Sequence, residues 1–109
     1  MSMSTVATKP KPHPRARPRS PRLIFFHSEL SGRCRRVEGF IAQVLQRRQN
    51  HDTFVVHRVP HEERVDLFER FEIDEIPTLV VVEDKVVRGR LERPRSCREI
   101  EQFLAPWLK

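Results

Sequence analysis

The apolar residues of this chain fall into short runs, and each run is bounded by polar residues or proline. Four such runs predict β-strands, and they cover residues 22–27, 54–59, 78–82 and 86–91. The first run shows almost no polar alternation, so we expect it to be buried on both faces of a sheet.

Three further segments carry apolar residues at helical spacing. In residues 31–48 these positions recur at i, i+3, i+4, i+7 and i+8. They are Val37, Phe40, Ile41, Val44 and Leu45. A second helix is predicted over residues 61–72. Its inward-facing residues are predicted to be Val65, Phe68 and Phe71. Ser96-Cys97-Arg98-Glu99 has the pattern of a capping box and opens a third helix, whose last turn Pro106 is expected to break.

The order of these elements is β-α-β-α-β-β-α, which predicts an α/β fold. The first crossover is expected to be right-handed, with helices on both faces of a four-stranded mixed sheet. The last two strands are expected to form an antiparallel hairpin on an otherwise parallel sheet.

The net positive charge of the chain comes from its N-terminal segment. Residues 1–22 hold six bases, no acid and five prolines, whereas residues 23–109 are formally neutral. This composition predicts a disordered or polyproline-like tail over 1–22 and one domain over 23–109. A solubilising extension is favoured over weak contact with a polyanion, because no aromatic residue lies between the bases to stack on nucleobases.

Other features narrow the class of protein. No apolar run approaches the length of a membrane span, and no secretory signal is visible. Two cysteines do not make a disulfide scaffold, so we expect a cytoplasmic protein in a reducing environment. The five histidines lie on different elements without metal-ligand spacing, so neither a metal nor a cofactor is expected.

A loop between the first strand and the first helix reads Ser31-Gly32-Arg33-Cys34, and Ile76-Pro77-Thr78 opens the third strand. With the element order, these two motifs resemble the thioredoxin superfamily over residues 23–109. The resemblance implies a cis Pro77 packed against the SGRC loop (residues 31–34). It also implies a Pro77 groove that binds extended peptide. The groove would comprise Gly32, Arg33, Ile76, Pro77 and Thr78.

The sequence departs from the family pattern at the positions that carry the chemistry. Ser31 stands at the position of the nucleophilic cysteine, and Cys34 stands at the position of the resolving cysteine. The buried acid of the family falls at Phe25. The two tryptophans and the loop proline fall at His27, Leu30 and Arg33.

Ser31 and Cys34 each allow more than one role. Ser31 fits a helix N-cap, worth about 1 kcal/mol, and a hydrolase that pairs it with His27 would need an acid and an oxyanion site as well. Cys34 could be a reactive thiol, because the helix N-terminus and the neighbouring arginines are expected to favour its thiolate. The alternative is an inert, half-buried residue. A disulfide between Cys34 and Cys97 is a further hypothesis. Monothiol glutaredoxins hold iron–sulfur clusters through a cysteine at the first loop position. The reversed order here argues against a cluster.

Three functions follow as hypotheses. The leading one is a thioredoxin-fold protein without dithiol activity, in which the Pro77 groove binds a peptide or protein, or the domain is structural. The alternative is a weak monothiol oxidoreductase in redox homeostasis that acts through Cys34. The third is an interaction module in which the basic tail supplies the affinity.

Overall fold

The computed structural model describes residues 20–50 and 52–108, apart from the side chain of Arg48. Four strands and three α-helices follow one another in the predicted order, with one short 3₁₀ helix after α1. They are β1 (Arg22–His27), α1 (Gly32–Gln46), the 3₁₀ helix (Arg47–Gln49), β2 (Val55–Pro60), α2 (Val65–Arg70), β3 (Thr78–Glu83), β4 (Val86–Glu92) and α3 (Cys97–Leu104). The predicted fold class is therefore confirmed. The predicted tail lies, except for residues 20–22, outside the described residues.

The four strands form one mixed sheet in the order β2-β1-β3-β4. β1 pairs with β2 in parallel and with β3 antiparallel, and β3 pairs antiparallel with β4. The prediction of an otherwise parallel sheet was wrong, because β1–β2 is the one parallel pair among the described strands.

The short second helix explains this direction of β3. A parallel connection must carry the chain back along a strand of about 20 Å, whereas the six residues of α2 rise only about 9 Å. The chain therefore leaves β2 and enters β3 at one edge of the sheet. The register shows this directly, since His27 lies opposite Pro60 and Phe26 lies opposite Thr78.

The residues of β1 alternate between two apolar layers. Leu23 and Phe25 join α1 and α3 on one face, and Phe26 joins Phe68 of α2 on the other. All three β1 side chains are at most 1% exposed. The central strand is thus buried on both faces, as its unalternated sequence predicts.

The second helix is shorter than its apolar pattern predicts. It begins at Val65 because residues 61–63 form a turn directly after Pro60, and it ends at Arg70. Phe68 is buried and Phe71 is partly buried, but Val65 is 46% exposed, so its predicted inward position was wrong. A residue in the first turn of so short a helix lies at the rim of the layer and not beneath it.

The third helix begins and ends near the predicted positions. The hydroxyl of Ser96 accepts the N–H of Glu99, and the Glu99 carboxylate accepts the N–H of Arg95, one residue before the one that a capping box uses. The helix ends at Leu104, two residues before Pro106.

Candidate functional site

The SGRC loop and Pro77 lie at the same edge of the sheet. The loop follows the C-terminal end of β1, and Thr78 at the start of β3 pairs with Phe26 near that end. The Ile76–Pro77 peptide bond is cis, and the carbonyl of Pro77 accepts the N–H of Arg93 at 2.7 Å. The structure therefore brings the two sequence motifs to one edge, although more than 40 residues separate them.

Ser31 is the N-cap of α1. Its Oγ accepts the backbone N–H of Cys34 at 3.3 Å, and its carbonyl accepts the N–H of Arg35. Such a cap contributes about 1 kcal/mol to helix stability. No hydrogen bond joins Ser31 to His27 in the described chain, and the buried Nε2 of His27 has no partner there. The Ser–His pair of a hydrolase is therefore not formed.

Cys34 lies in the first turn of α1 and is only 2% exposed. Its Sγ accepts the backbone N–H of Ser28 at 3.4 Å. Phe25 belongs to the same buried cluster and stacks on the ring of His27, with 4.8 Å between the ring centroids. A phenyl ring thus fills the position at which the resemblance places a proton-accepting acid.

Cys97 lies far from Cys34, which overturns the hypothesis of a disulfide between them. The thiol of Cys97 donates to Oε1 of Gln43 at 2.9 Å. Gln43 is nine residues beyond Cys34 on α1, which is about 13 Å along the helix axis. A disulfide requires Cα atoms within about 7 Å, and both cysteines are free. The error arose because α3 begins beside the middle of α1, not beside its N-terminus.

The remaining predicted residues of the site differ in exposure. Gly32 and Arg33 are exposed, and Ile76 is partly buried and packs against the core. Thr78 is fully buried, and its hydroxyl donates to the carbonyl of Glu75 at 2.5 Å. The members of the Pro77 groove that are open to solvent are thus Gly32, Arg33 and, in part, Ile76.

A cleft of about 500 Å³ opens beside the SGRC loop. His27, Ser31 and Cys34 line it together with two residues that the sequence did not single out, Glu38 and Arg58, which form an ion pair. These two residues lie 20 positions apart, on α1 and β2, and no local pattern relates them. The cleft reaches the loop thiol from the side of α1 and β2.

Glu62 holds the segment before the SGRC loop. The sequence pattern did not indicate this role. The carboxylate of Glu62 accepts the hydroxyl of Ser28 and, at 3.3 Å, the backbone N–H of Glu29. Glu62 lies in the turn after β2, 34 residues beyond Ser28. Only the meeting of β1 and β2 at one sheet edge brings them together, so no motif could have indicated this contact.

We predict that protonation of Glu62 releases these contacts at acidic pH. The hydrogen bond from Ser28, followed by backbone N–H groups, lowers the pKa of Glu62 below its ordinary value of 4.5. The stabilising contribution is therefore present above pH 4.5 and is lost as the pH falls through the lowered pKa. The 13C shift of the Glu62 carboxyl carbon, followed by NMR, should titrate with a midpoint below 4.5. The transition should vanish in Glu62→Gln, and a midpoint at or above 4.5 in the unmodified chain would refute the prediction.

Neither a metal site nor a membrane span is found within the described residues. No group of three or more potential ligands among His, Cys, Asp and Glu is arranged to hold a metal ion there. No helix in the same part of the chain is long and apolar enough to cross a membrane.

Solved thioredoxin structures share this fold. Trxlp from Edwardsiella tarda superimposes with a TM-score of 0.72 at 18% identity, over 83% of this chain and 85% of that one. The germline-specific thioredoxin Deadhead from Drosophila melanogaster gives 0.72 at 15% identity, over 84% of each chain. Oxidised thioredoxin from Plasmodium falciparum gives 0.71 at 18% identity, also over 84% of each chain.

The sequence itself also carries the family signal. It matches none of the curated proteins with which it was compared. The thioredoxin family model, however, matches residues 15–106, which is most of the chain. This match agrees with the β-α-β-α-β-β-α order, the SGRC loop and the cis Pro77 at one sheet edge. The chain therefore belongs to the thioredoxin family.

Proposed function

We propose that this protein is a member of the thioredoxin family without dithiol activity, and that it binds an extended peptide at the Pro77 groove. One observation carries the proposal. The first position of the loop holds the half-buried Ser31, whose hydroxyl caps α1, while the one loop thiol, Cys34, is 2% exposed.

Dithiol exchange requires two sulfur atoms. One thiolate attacks the substrate disulfide, which forms a mixed disulfide and expels one substrate thiolate. The second thiolate then attacks the mixed disulfide and releases the other substrate thiol, so the enzyme ends as a disulfide and the substrate is reduced. A serine hydroxyl is not ionised at neutral pH and cannot make the first attack. With Ser31 at that position, the cycle has no starting step.

Two features support peptide binding at the same place. Leu30 is 88% exposed directly before the SGRC loop, where the resemblance places a tryptophan. Gly32 and Arg33 are exposed beside it, and a Cβ built on Gly32 meets no atom within 4 Å. An exposed apolar side chain beside open backbone suits a peptide ligand. Both described cysteines are free, which fits a reducing compartment, so the proposal places the protein in the cytoplasm.

A disulfide-reduction assay tests the loss of activity. The full chain and Cys34→Ala are supplied with dithiothreitol and insulin, and in a parallel arm with thioredoxin reductase and NADPH. Both proteins should show only the background rate. Turnover by the full chain that disappears in Cys34→Ala would overturn the proposal.

Peptide binding needs its own test. Immobilised full-length protein is panned against a phage library of random linear 12-residue peptides, and the enriched peptides are titrated against Leu30→Asp. We expect micromolar binders whose affinity falls at least about tenfold in this variant, because a charge replaces an exposed apolar contact. Val86→Asp, which places the same charge at an exposed apolar residue on β4, is the control. Failure to enrich any peptide that distinguishes the two variants would contradict the proposal.

The second candidate function is a monothiol reaction of Cys34. The N–H of Ser28 donates to its Sγ, and the cleft of about 500 Å³ reaches it. Its thiolate would attack oxidised glutathione, form a mixed disulfide and release one reduced glutathione. Mass spectrometry of Cys97→Ser after incubation with oxidised glutathione tests this function. An adduct that is absent from Cys34→Ala/Cys97→Ser would support it, and an unmodified protein would exclude it.

A further inference from the structure

The acids of this domain are concentrated around α2. Residues 62–75 contain seven of the chain's 15 acids and only two arginines, a formal charge of −5. Residues 23–109 are neutral as a whole, so this segment is the negative pole of a domain that is otherwise basic. Its negative charge is opposite to the positive charge of the N-terminal segment. None of its residues belongs to the SGRC loop.

The same segment forms a groove with an apolar floor. A cleft of about 530 Å³ runs along α2 and the turn that follows it. We call it the acidic groove. Val65, Phe68 and Ile73 form its floor, and Glu69, Glu72 and Asp74 are its acids. His61 completes the lining, with its ring edge-on to that of Phe68. Val65 is 46% exposed, so part of the floor is open to a ligand.

The acids of this groove lack cationic partners. Glu69, Glu72 and Asp74 form no ion pair with any described residue, whereas the acids on either side of them do: Asp66 pairs with Arg64, and Glu75 pairs with Arg93. The guanidinium of Arg90, on β4, is bound to the carbonyls of Phe71 and Glu72. Three carboxylates at one apolar groove are thus left for a cationic ligand.

We propose that the acidic groove binds residues 9–15 of the same chain. This segment contains three bases, no acid and three prolines. Its charge is opposite to that of the groove, and its proline rings offer apolar surface to Val65 and Ile73. Proline also fixes the backbone near an extended conformation before binding, so docking orders the segment at a lower entropic cost than for an ordinary chain.

The covalent connection allows this contact. β1 begins at Arg22 and spans about 20 Å. Phe68, in the groove floor, packs on Phe26 near the far end of that strand. The six residues 16–21 join the segment to β1 and can span about 19 Å, which exceeds the distance of about 13 Å along the strand from Arg22 to Phe26. Because the segment is attached, its effective concentration at the groove is in the millimolar range, and even weak ion pairs suffice to hold it.

Limited trypsinolysis of the full chain tests the proposal. Trypsin does not cleave before proline, so the segment offers one site, Arg15–Ala16, and its linker to β1 offers a second, Arg19–Ser20. Cleavage at Arg15–Ala16 is followed by mass spectrometry in about 50 mM salt, with Arg19–Ser20 as the internal reference. Neutralisation of the groove by Glu69→Gln, Glu72→Gln and Asp74→Asn should speed cleavage roughly fivefold, because cleavage follows the population of the undocked segment. In 1 M NaCl, where screening is strong, the variant and the unmodified chain should be cleaved at the same rate.

A control variant removes the same charge elsewhere. Asp52→Asn, Asp84→Asn and Glu92→Gln neutralise three exposed acids outside the groove, and cleavage should stay within about twofold of the unmodified chain. Equal rates in the unmodified chain and the groove variant at low salt would overturn the proposal. So would protection that grows with protein concentration, because the segment would then bind another copy. Circular dichroism establishes that the groove variant is folded.

Discussion

Replacement of Ser31 by cysteine is expected to give this domain a disulfide and a disulfide-reductase activity. The hydroxyl of Ser31 accepts the N–H of Cys34 at 3.3 Å, so a sulfur atom at that position lies beside the first turn of α1. The helix N-terminus favours a thiolate there, and Cys34, at the position of the family's resolving cysteine, is expected to resolve the mixed disulfide. We expect insulin reduction by dithiothreitol at least about tenfold above the rate of the unmodified chain.

Mass spectrometry and the insulin assay distinguish the role of the thiol introduced at position 31 from that of Cys34. Ser31→Cys should lose two hydrogens on mild oxidation, as seen by mass spectrometry, and regain them with dithiothreitol. Ser31→Cys/Cys34→Ser, which keeps the new thiol but removes the resolving one, should neither close a disulfide nor turn over. A variant with the new cysteine alone that is as active as Ser31→Cys would show that Cys34 does not act as a resolving thiol.

Truncation of Phe25 is expected to cause a large loss of stability. Phe25 is 1% exposed in the middle strand, in the same apolar cluster as Cys34, and stacks on His27. Phe25→Ala removes a buried ring and leaves a cavity, which costs about 3–5 kcal/mol of unfolding free energy. A domain of this size has about 5–15 kcal/mol in total, so the variant should be marginally folded.

Urea unfolding, followed by the fluorescence of Trp107, measures the effect. Phe25→Leu keeps most of the apolar volume and should lose less stability than Phe25→Ala. If the alanine variant does not fold, Phe25→Leu is compared with the unmodified chain instead. Leu30→Ala is the matched control, because Leu30 is 88% exposed and its truncation should change stability by no more than about 0.5 kcal/mol. A loss below about 1 kcal/mol in Phe25→Ala would mean that the ring is not part of the packed core.

Local patterns were sufficient for most of the fold. The four apolar runs and the helical stripes predicted the order of elements, because burial in a small domain requires side chains on one face at a period of 2.0 or 3.6 residues. The two N-cap serines, Ser31 and Ser96, were also evident, since a cap depends on residues three positions apart. The SGRC loop and the IPT triplet indicated the family without any knowledge of their distance in space.

Local patterns could not predict the direction of β3 or the true extent of α2. An apolar stripe over residues 61–72 suggested a helix long enough for a parallel crossover, yet the turn after Pro60 shortens it to Val65–Arg70. Strand direction depends on where a connection ends, which is a property of packing and not of the run itself. The same cause explains the misplaced Cys97, whose position depends on how far α3 is shifted along α1.

The sequence by itself thus determined the family, the order of elements and the loss of the first sulfur at Ser31, because each is written in neighbouring residues. Only the tertiary structure decided that Cys34 is 2% exposed, that Glu62 holds the segment before the loop and that Arg58 pairs with Glu38 beside it. These contacts join residues 20 or more positions apart on different elements. Their partners are chosen by the packing of strands and helices at one sheet edge, which no local pattern records.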